Sequence, residues 1–445
     1  MQQGQEVGAL ARELFPTGTF WTLSESFAID LAEQLLAEND STTIFEPRFE
    51  WDSLIARADI LERTAHGWHL LEVKSSFSDT TSMSDLIDDL AYTCMASQGV
   101  GLEVHQASLM LLSRDYRHGA PAAELFEIVD CTEAALSRAK DFAAEHDTVT
   151  ASVLGTTRPT PTLCSACRSC DYFVSDCLGH GLSHSVLEIP GLHHTKLRKL
   201  AADSIVDLGS LPSSLTLNNI QERAKDAALR EELLVDGGLR DDLAGIEWPC
   251  SYLDFETVAT VLPLYPGFGC HEQLLTQFSV HQRQAPSAPL RHIDYLADPF
   301  RDCQRELAEL LIAALGDAGS VVVYSQFEKQ RLKALSQLYP DLADSLDAIQ
   351  TRLFDMLPVI KRNVYHPDFR GSFSIKAVLP ALVPDLDYSQ LDIAGGDSAI
   401  TRFARIARGE ITGAEAADSR QSLLEYCKMD TLAMVRLHEV LSTLA

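Results

Sequence analysis

Hydrophobic and polar positions divide the chain into stretches of different period. Over residues 1–37, VGALARELF and FAIDLAEQLL space their apolar residues at three and four, the repeat of amphipathic helices. The period then shortens. TTIFEPRFEW, LIARADILE and GWHLLEVKSS read as neighbouring strands separated by turns, followed by a helix near 83–97, a strand in HQASLMLLS and a helix around 131–146. Residues 188–246 mix short helices with Pro, Gly and Ser turns and read as a connecting module. From SYLDFETV through LLTQFSVH and SVVVYSQF, strands alternate with helices as far as residue 445, the pattern of an α/β domain. No internal repeat or low-complexity tract interrupts this order. The expected division is 1–187, 188–246 and 247–445.

Length and composition agree with several cores rather than one: 445 residues, 46% hydrophobic and 22% charged, describe a globular chain of two or three domains. No apolar run approaches the roughly 18 residues that cross a bilayer, and MQQGQEVGALAREL lacks the succession of a secretory signal, so the expectation is a cytoplasmic protein without a membrane partner. The net charge of -28 argues against non-specific coating of nucleic acid, whose affinity rests on phosphate neutralisation. It leaves room for a nuclease in which acidic residues gather around metal.

The acidic residues suggest such gathering in two places. In SYLDFETVA, Asp254 and Glu256 stand two apart on a predicted strand, so alternation puts both carboxylates on one face, about 6.6 Å apart along the chain. Two divalent ions at the ~3.5–4 Å spacing of phosphodiester chemistry fit that geometry. In SLLEYCKMDTLAMV, Tyr426 and Asp430 share a helix face and should point together out of the helix, while Leu424, Cys427 and Met434 pack inward. A surface tyrosine with a satisfied aspartate is the bland reading. The sharper one makes Asp430 a metal ligand and Tyr426 the hydroxyl that positions water. Glu328, after the strand of SVVVYSQFEKQRL, supplies a further acid; Asp355 is a lesser candidate with an equal claim to helix capping.

Toward the N-terminus, Asp59 sits on one predicted strand and Glu72 and Lys74 share a face of the next, with Val73 turned behind them. Asp59 and Glu72 can hold a metal while Lys74 steadies developing charge. Ten cysteines include four in fourteen residues, Cys164, Cys167, Cys170 and Cys177, spaced C-x2-C-x2-C-x6-C. In a cytosolic chain such clustering points to metal ligation more than to disulfides. Lys196, Arg198 and Lys199 form a basic strip in the connecting module that could meet a phosphate backbone or simply be solvated.

These motifs carry a resemblance. DFET, TQFSVH, YSQFEKQRL, GSFSIKAVLPALVPDLDY and LLEYCKMDTLAMV, in this order, resemble the bacterial domain-of-unknown-function 2779 family, whose C-terminal half is similar to ribonuclease-H-like DEDD exonucleases of the tyrosine subtype. The resemblance implies Asp254, Glu256, Glu328 and Asp430 as ligands of Mg²⁺ or Mn²⁺, although Glu328 stands where those exonucleases have Asp. It also makes GSFSIKAVLP a family signature, in which Ser372, Ser374 and Lys376 could meet phosphate. RADILERTAHGWHLLEVKSS is similar to PD-(D/E)XK nucleases of the RecB and CRISPR-associated type, in which a cysteine trio and an upstream cysteine hold a 4Fe-4S cluster; Zn²⁺ is the alternative. Two departures stand out: the expected upstream cysteine is missing, leaving Cys167 or a non-protein ligand to complete the set, and Thr93 occupies the place of a glutamine. Glu6, on the first helix, is a further candidate for this site.

The fold class expected is therefore α/β, with a PD-(D/E)XK restriction-endonuclease-like fold followed by a ribonuclease-H-like fold. The function expected is metal-dependent phosphodiester hydrolysis on single-stranded DNA or RNA, exonucleolytic in mode. Its rival is a catalytically degenerate nucleic-acid-binding or scaffold protein, with an enzyme built on a redox-active cluster third.

Overall fold

The structure is a computed structural model and describes residues 2–22, 26–386 and 396–445. It is a mixed α/β protein of two contact units: 1–159 with 259–273, and 160–258 with 274–445. Among the described residues no helix is long and apolar enough to cross a membrane.

The first unit is built on a six-stranded mixed sheet. Its order is Thr19–Phe20, Thr43–Phe45, Ile60–Thr64, Gly67–Phe77, Val104–Leu112 and Phe126–Asp130. Gly67–Phe77 and Val104–Leu112 run parallel and are joined by the helix Met83–Gly99, the crossover that a parallel pair requires. Leu70, Leu90, Ala91, Cys94 and Leu109 are buried together in the main core of this unit. The two runs TTIFEPRFEW and LIARADILE each prove to be two strands in different sheets. Thr43–Phe45 and Ile60–Thr64 join the main sheet, whereas Arg48–Trp51 and Leu54–Arg57 form a separate hairpin. The first break falls at Glu46, whose φ of 54° is left-handed, and Pro47, which has no N–H to donate. The helices also run on further than the periodicity suggested, to Gly99 and, for Thr132–Leu154, to Leu154. Residues 259–273, which link two strands of the second unit, count with the first: Val261 N–H donates to Gln3 (2.6 Å), His271 Nε2 donates to the Ser75 carbonyl (2.6 Å), and Cys270 is buried with Val7, Leu112 and Leu125.

The second unit centres on a five-stranded sheet in the order Arg291–Leu296, Leu274–Arg283, Cys250–Val258, Ser320–Val323, Leu353–Asp355. The first three strands are antiparallel neighbours; Ser320–Val323 joins Cys250–Val258 in parallel, and Leu353–Asp355 joins Ser320–Val323 in parallel. Alternation along the central strand sorts its side chains. Leu253 and Phe255 enter one core with Leu307, Leu311 and Leu332, while Tyr252 enters another with Met434, Leu437 and Leu441 of the helix Gly413–Leu444. Asp254 and Glu256 thus lie on the same face as Tyr252.

The unit boundary at 159/160 differs from the expected 187/188, and it places both the four cysteines and the connecting module in the second unit. Leu163 and Phe173, which flank the cysteines, are buried with Val186, Leu187 and Leu197, and Arg168 donates to the Leu187 carbonyl (2.9 Å). Gly371, at φ 85°, gives the module its seat. A Cβ there would lie 2.6 Å from the Glu188 carbonyl, so only glycine allows the approach.

Candidate functional site

The strand Cys250–Val258 carries Asp254 and Glu256, and the helix Gly413–Leu444 crosses over them with Asp430. One carboxylate oxygen from each of the three lies within 4.8 Å of the others, a spacing suited to a metal ion. Polar contacts set the position of the helix. Thr431, the residue after Asp430, meets Ser279 Oγ (2.8 Å) and His281 Nδ1 (2.7 Å), and the Leu423 carbonyl one turn before Tyr426 accepts from Gln277 Nε2 (3.1 Å). Ser279 and Gln277 pair in register with Asp254 and Glu256 respectively. The same two strand positions that bear the acids therefore have neighbours that clamp the helix.

The electrostatics are those of negative charge crowded together and buried. Burial, then Asp430, Glu256 and Glu328, push Asp254 well above the ordinary carboxylate range. Glu256 is raised to about 8 by burial and by Asp430, against the relief given by Lys376. Lys376, exposed on the helix Ile375–Leu382, is thus close enough to sense the cluster from its edge. Tyr426 is buried and its hydroxyl is pushed far up by burial and then by Asp430, Glu256 and Asp254. It does not point out of the helix as its sequence suggested; it shares with Asp430 the face turned to the acids. Cys427 was expected to pack inward as core. It is buried as expected, and its Sγ–H also donates to Asp254 Oδ2 at 3.4 Å.

Glu328 lies outside the group of three yet acts on Asp254. It opens the helix Phe327–Leu338, is buried, and is raised to about 7 chiefly by burial. Nearby Ser325 partly offsets that rise, and Glu328 Oε2 has no partner. Three carboxylates within reach of one another, plus an unpartnered buried oxygen beside them, fit a hard divalent cation. Asp355 plays a structural part, capping the helix Met356–Asn363 by accepting from Leu357 N–H (3.0 Å) and taking a bond from Gln326 (2.8 Å).

Residues 251–374 match a domain of unknown function, DUF2779. The DUF2779 segment holds Asp254, Glu256 and Glu328 and ends before Lys376, Tyr426 and Asp430, which the fold adds to it. Comparison with curated proteins and with solved structures gives no match.

The acidic group of the first unit is arranged differently. Asp59 accepts from Val73 N–H (2.7 Å), and Lys74 reaches Glu72 Oε1 (3.1 Å) and also Asp89. Val73 packs on the opposite face with Ile60, Leu71 and Met110. Burial raises Asp59 and, helped by Asp59 itself, raises Glu72 to about 8; the buried Glu72 Oε2 has no partner. Desolvation alone would lower Lys74, but Glu72 and Asp89 outweigh it and raise it. Asp89 escaped the sequence reading. The i to i+4 bond from Thr93 Oγ1 to its carbonyl (3.3 Å) shows that it shares a helix face with Thr93, the position the resemblance had singled out. Glu6 is half-buried on the helix Gln2–Arg12.

Among the cysteines, Cys164 and Cys167 bring their sulfurs to 3.8 Å, but among the described residues no third sulfur joins them in a group within 4.8 Å. Cys164 and Cys170 are exposed, and Cys167 and Cys177 half-buried. The four do not form a closed four-sulfur shell as they stand. In the basic strip, Lys196 donates to the Thr216 carbonyl (2.5 Å) and so helps hold the module together, while Arg198 and Lys199 are exposed.

Proposed function

We propose that this protein is a metal-dependent nuclease whose working centre is formed by Asp254, Glu256 and Asp430, with Glu328 beside them. The observation that carries the reading is the convergence of these three carboxylates within 4.8 Å beside the buried Tyr426 hydroxyl. The strand order, with three antiparallel strands followed by two parallel ones, supports a ribonuclease-H-like fold for the second unit. The strand–helix–strand arrangement around Glu72 and Lys74 supports a PD-(D/E)XK-like first unit.

A bound Mg²⁺ or Mn²⁺ would supply Lewis acidity at the scissile phosphate and a more acidic water. The chain's own residues do the rest. Asp254, Glu256 and Asp430 hold the ion, and Tyr426 directs its hydroxyl at the attacking water. Lys376 offers positive charge at the rim, where a phosphate would arrive. The substrate class is the end of a single strand of DNA or RNA. For Cys164, Cys167, Cys170 and Cys177 we retain an iron-sulfur or zinc staple as the proposed role; the spacing and the paired sulfurs of Cys164 and Cys167 support it.

The rival reading, a binding or scaffold protein with a degenerate centre, draws on the position of Glu328 outside the group of three. Degradation of end-labelled single-stranded DNA and RNA with Mn²⁺ separates the two. Hydrolysis by the wild type that disappears in Asp254→Ala supports the nuclease, and strand binding without hydrolysis in any divalent metal supports the rival.

A further inference from the structure

A cleft of about 690 Å³ opens in the second unit between the connecting module and the segments 324–325, 357–361 and 371–375. The module gives it Pro190, Gly191, Ile220 and Gln221, and the opposite wall holds Ser325, Lys361 and the stretch Gly371–Ile375. The volume lies within the roughly 300–1,000 Å³ of small-ligand sites. Its walls are tied internally: Gln221 Nε2 donates to the Pro190 carbonyl (2.9 Å), and Tyr324 Oη donates to the Phe373 carbonyl (2.9 Å). The cleft is thus preformed.

Two lining residues stand close in sequence to groups that act on the acidic centre. Ser325 lines the cleft and eases the rise of Glu328, which acts on Asp254. Ile375 lines it from the other side and is followed by Lys376, the cation felt by Glu256. The chemistry of the lining changes away from the acids. Ile220, Leu357 and Ile375 are apolar, Ser372 and Ser374 carry hydroxyls, and Lys361 supplies a positive charge. Lys361 forms no ion pair among the described residues; its ammonium lies 5.9 Å from the centre of the Phe373 ring. In a chain of net charge -28, a lysine left without a carboxylate on a cleft wall is available to an anionic ligand.

We propose that this cleft holds the nucleotides of a single strand next to the bond being cut, so that the connecting module is one wall of the substrate site rather than a linker. The apolar floor takes a base and Lys361 takes a backbone phosphate. The proposal rests on the nuclease reading for the identity of the ligand, but its test is binding, which is read without cleavage.

The probe is a fluorescein-labelled deoxythymidine octamer, followed by anisotropy with the full chain in EDTA and again in Ca²⁺. Lys361→Ala should reduce the slope of log affinity against log salt by about 0.7, the value for one phosphate contact on a single strand. Ile220→Glu, which puts a carboxylate on the apolar floor, should weaken binding at least about tenfold. Melting curves check that both variants fold. Ultraviolet cross-linking of a 5-iodouracil octamer to the wild type gives a readout free of folding effects, with adducts expected in 190–221, 324–325 or 357–375. Adducts wholly outside these segments, or an affinity and salt slope unchanged in both variants, would overturn the proposal. Strand binding with these effects but no hydrolysis would remove the nuclease reading alone. Hydrolysis lost in Asp254→Ala with no effect of either cleft variant would remove the cleft alone.

Discussion

The two acidic groups of this chain use the same residue types and differ in how their charge is met. Around Glu72 the protein supplies its own cation: Lys74 bridges Glu72 and Asp89, and Asp59 is occupied by the Val73 N–H. Around Asp254, Lys376 relieves only Glu256, and from the edge, while the carboxylates raise one another. Around Glu72 an ammonium already occupies one side of the acids, although Glu72 is still raised to about 8 and its Oε2 has no partner. Carboxylates that the fold buries side by side raise one another and so favour a proton or a metal. An acid-rich motif thus becomes a strong metal site through how many carboxylates the fold brings to one point.

The largest effect that would sharpen this contrast is on hydrolysis. Asp254→Ala should lower the Mn²⁺-dependent rate by about 10³-fold, the worth of several kcal/mol of charge stabilisation, whereas Lys74→Ala should leave most of it. Equal losses in the two variants would erase the distinction.

Stability against pH comes next. Glu256 has an ordinary value of 4.5 and is raised to about 8 in the fold, so between those values the folded chain keeps a proton that the unfolded chain has released. Its contribution is complete below pH 4.5 and declines as pH rises toward 8. Mn²⁺ competes with that proton, so its stabilising effect should be small at pH 5.5 and reach about 2.7 kcal/mol at pH 8 when the ion is at 100 times its Kd. Thermal melts at the two pH values decide the matter, and in Asp254→Ala the Mn²⁺ effect should vanish.

Tyr426→Phe should cost about 10²-fold in kcat with Mn²⁺ affinity retained, as expected of a group that directs water rather than holds metal. A loss of affinity equal to that of Asp254→Ala would make Tyr426 part of the metal shell instead. In the first unit, Lys74→Met should destabilise the chain by about 2 kcal/mol at pH 8.5, measured by urea unfolding. The cost should shrink near pH 6, below the value of about 8 to which Glu72 is raised, because a protonated Glu72 no longer requires the ammonium. Smallest is Cys427→Ala, with a loss of less than about tenfold in rate, because one thiol bond to Asp254 is removed while the helix stays clamped through Thr431.

Local periodicity explains which features the sequence made legible. The period of two on a strand put Asp254 and Glu256 on one face, and the i to i+4 spacing on a helix did the same for Tyr426 and Asp430. What it could not show was the pairing of distant elements. Cys427 has the composition of a core residue, and only the crossing of helix over strand turns its thiol to Asp254. Asp89 looked like one more acid on an exposed helix, because its meeting with Lys74 spans helix and strand. The strand break at Glu46 and Pro47 had a visible cause in the proline, yet the unbroken apolar alternation on both sides hid it. The boundary after residue 159 was obscured for another reason: Leu163 and Phe173 reveal their core only when the connecting module folds against them.

The most direct test of the central claim is a Mn²⁺ titration of the full chain at pH 8, with free ion read by electron paramagnetic resonance, for the wild type, Asp254→Ala and Glu72→Gln. The tightest site should be lost in Asp254→Ala and kept in Glu72→Gln. A tightest site that survives Asp254→Ala and disappears in Glu72→Gln would contradict the claim and move the working centre to the first unit.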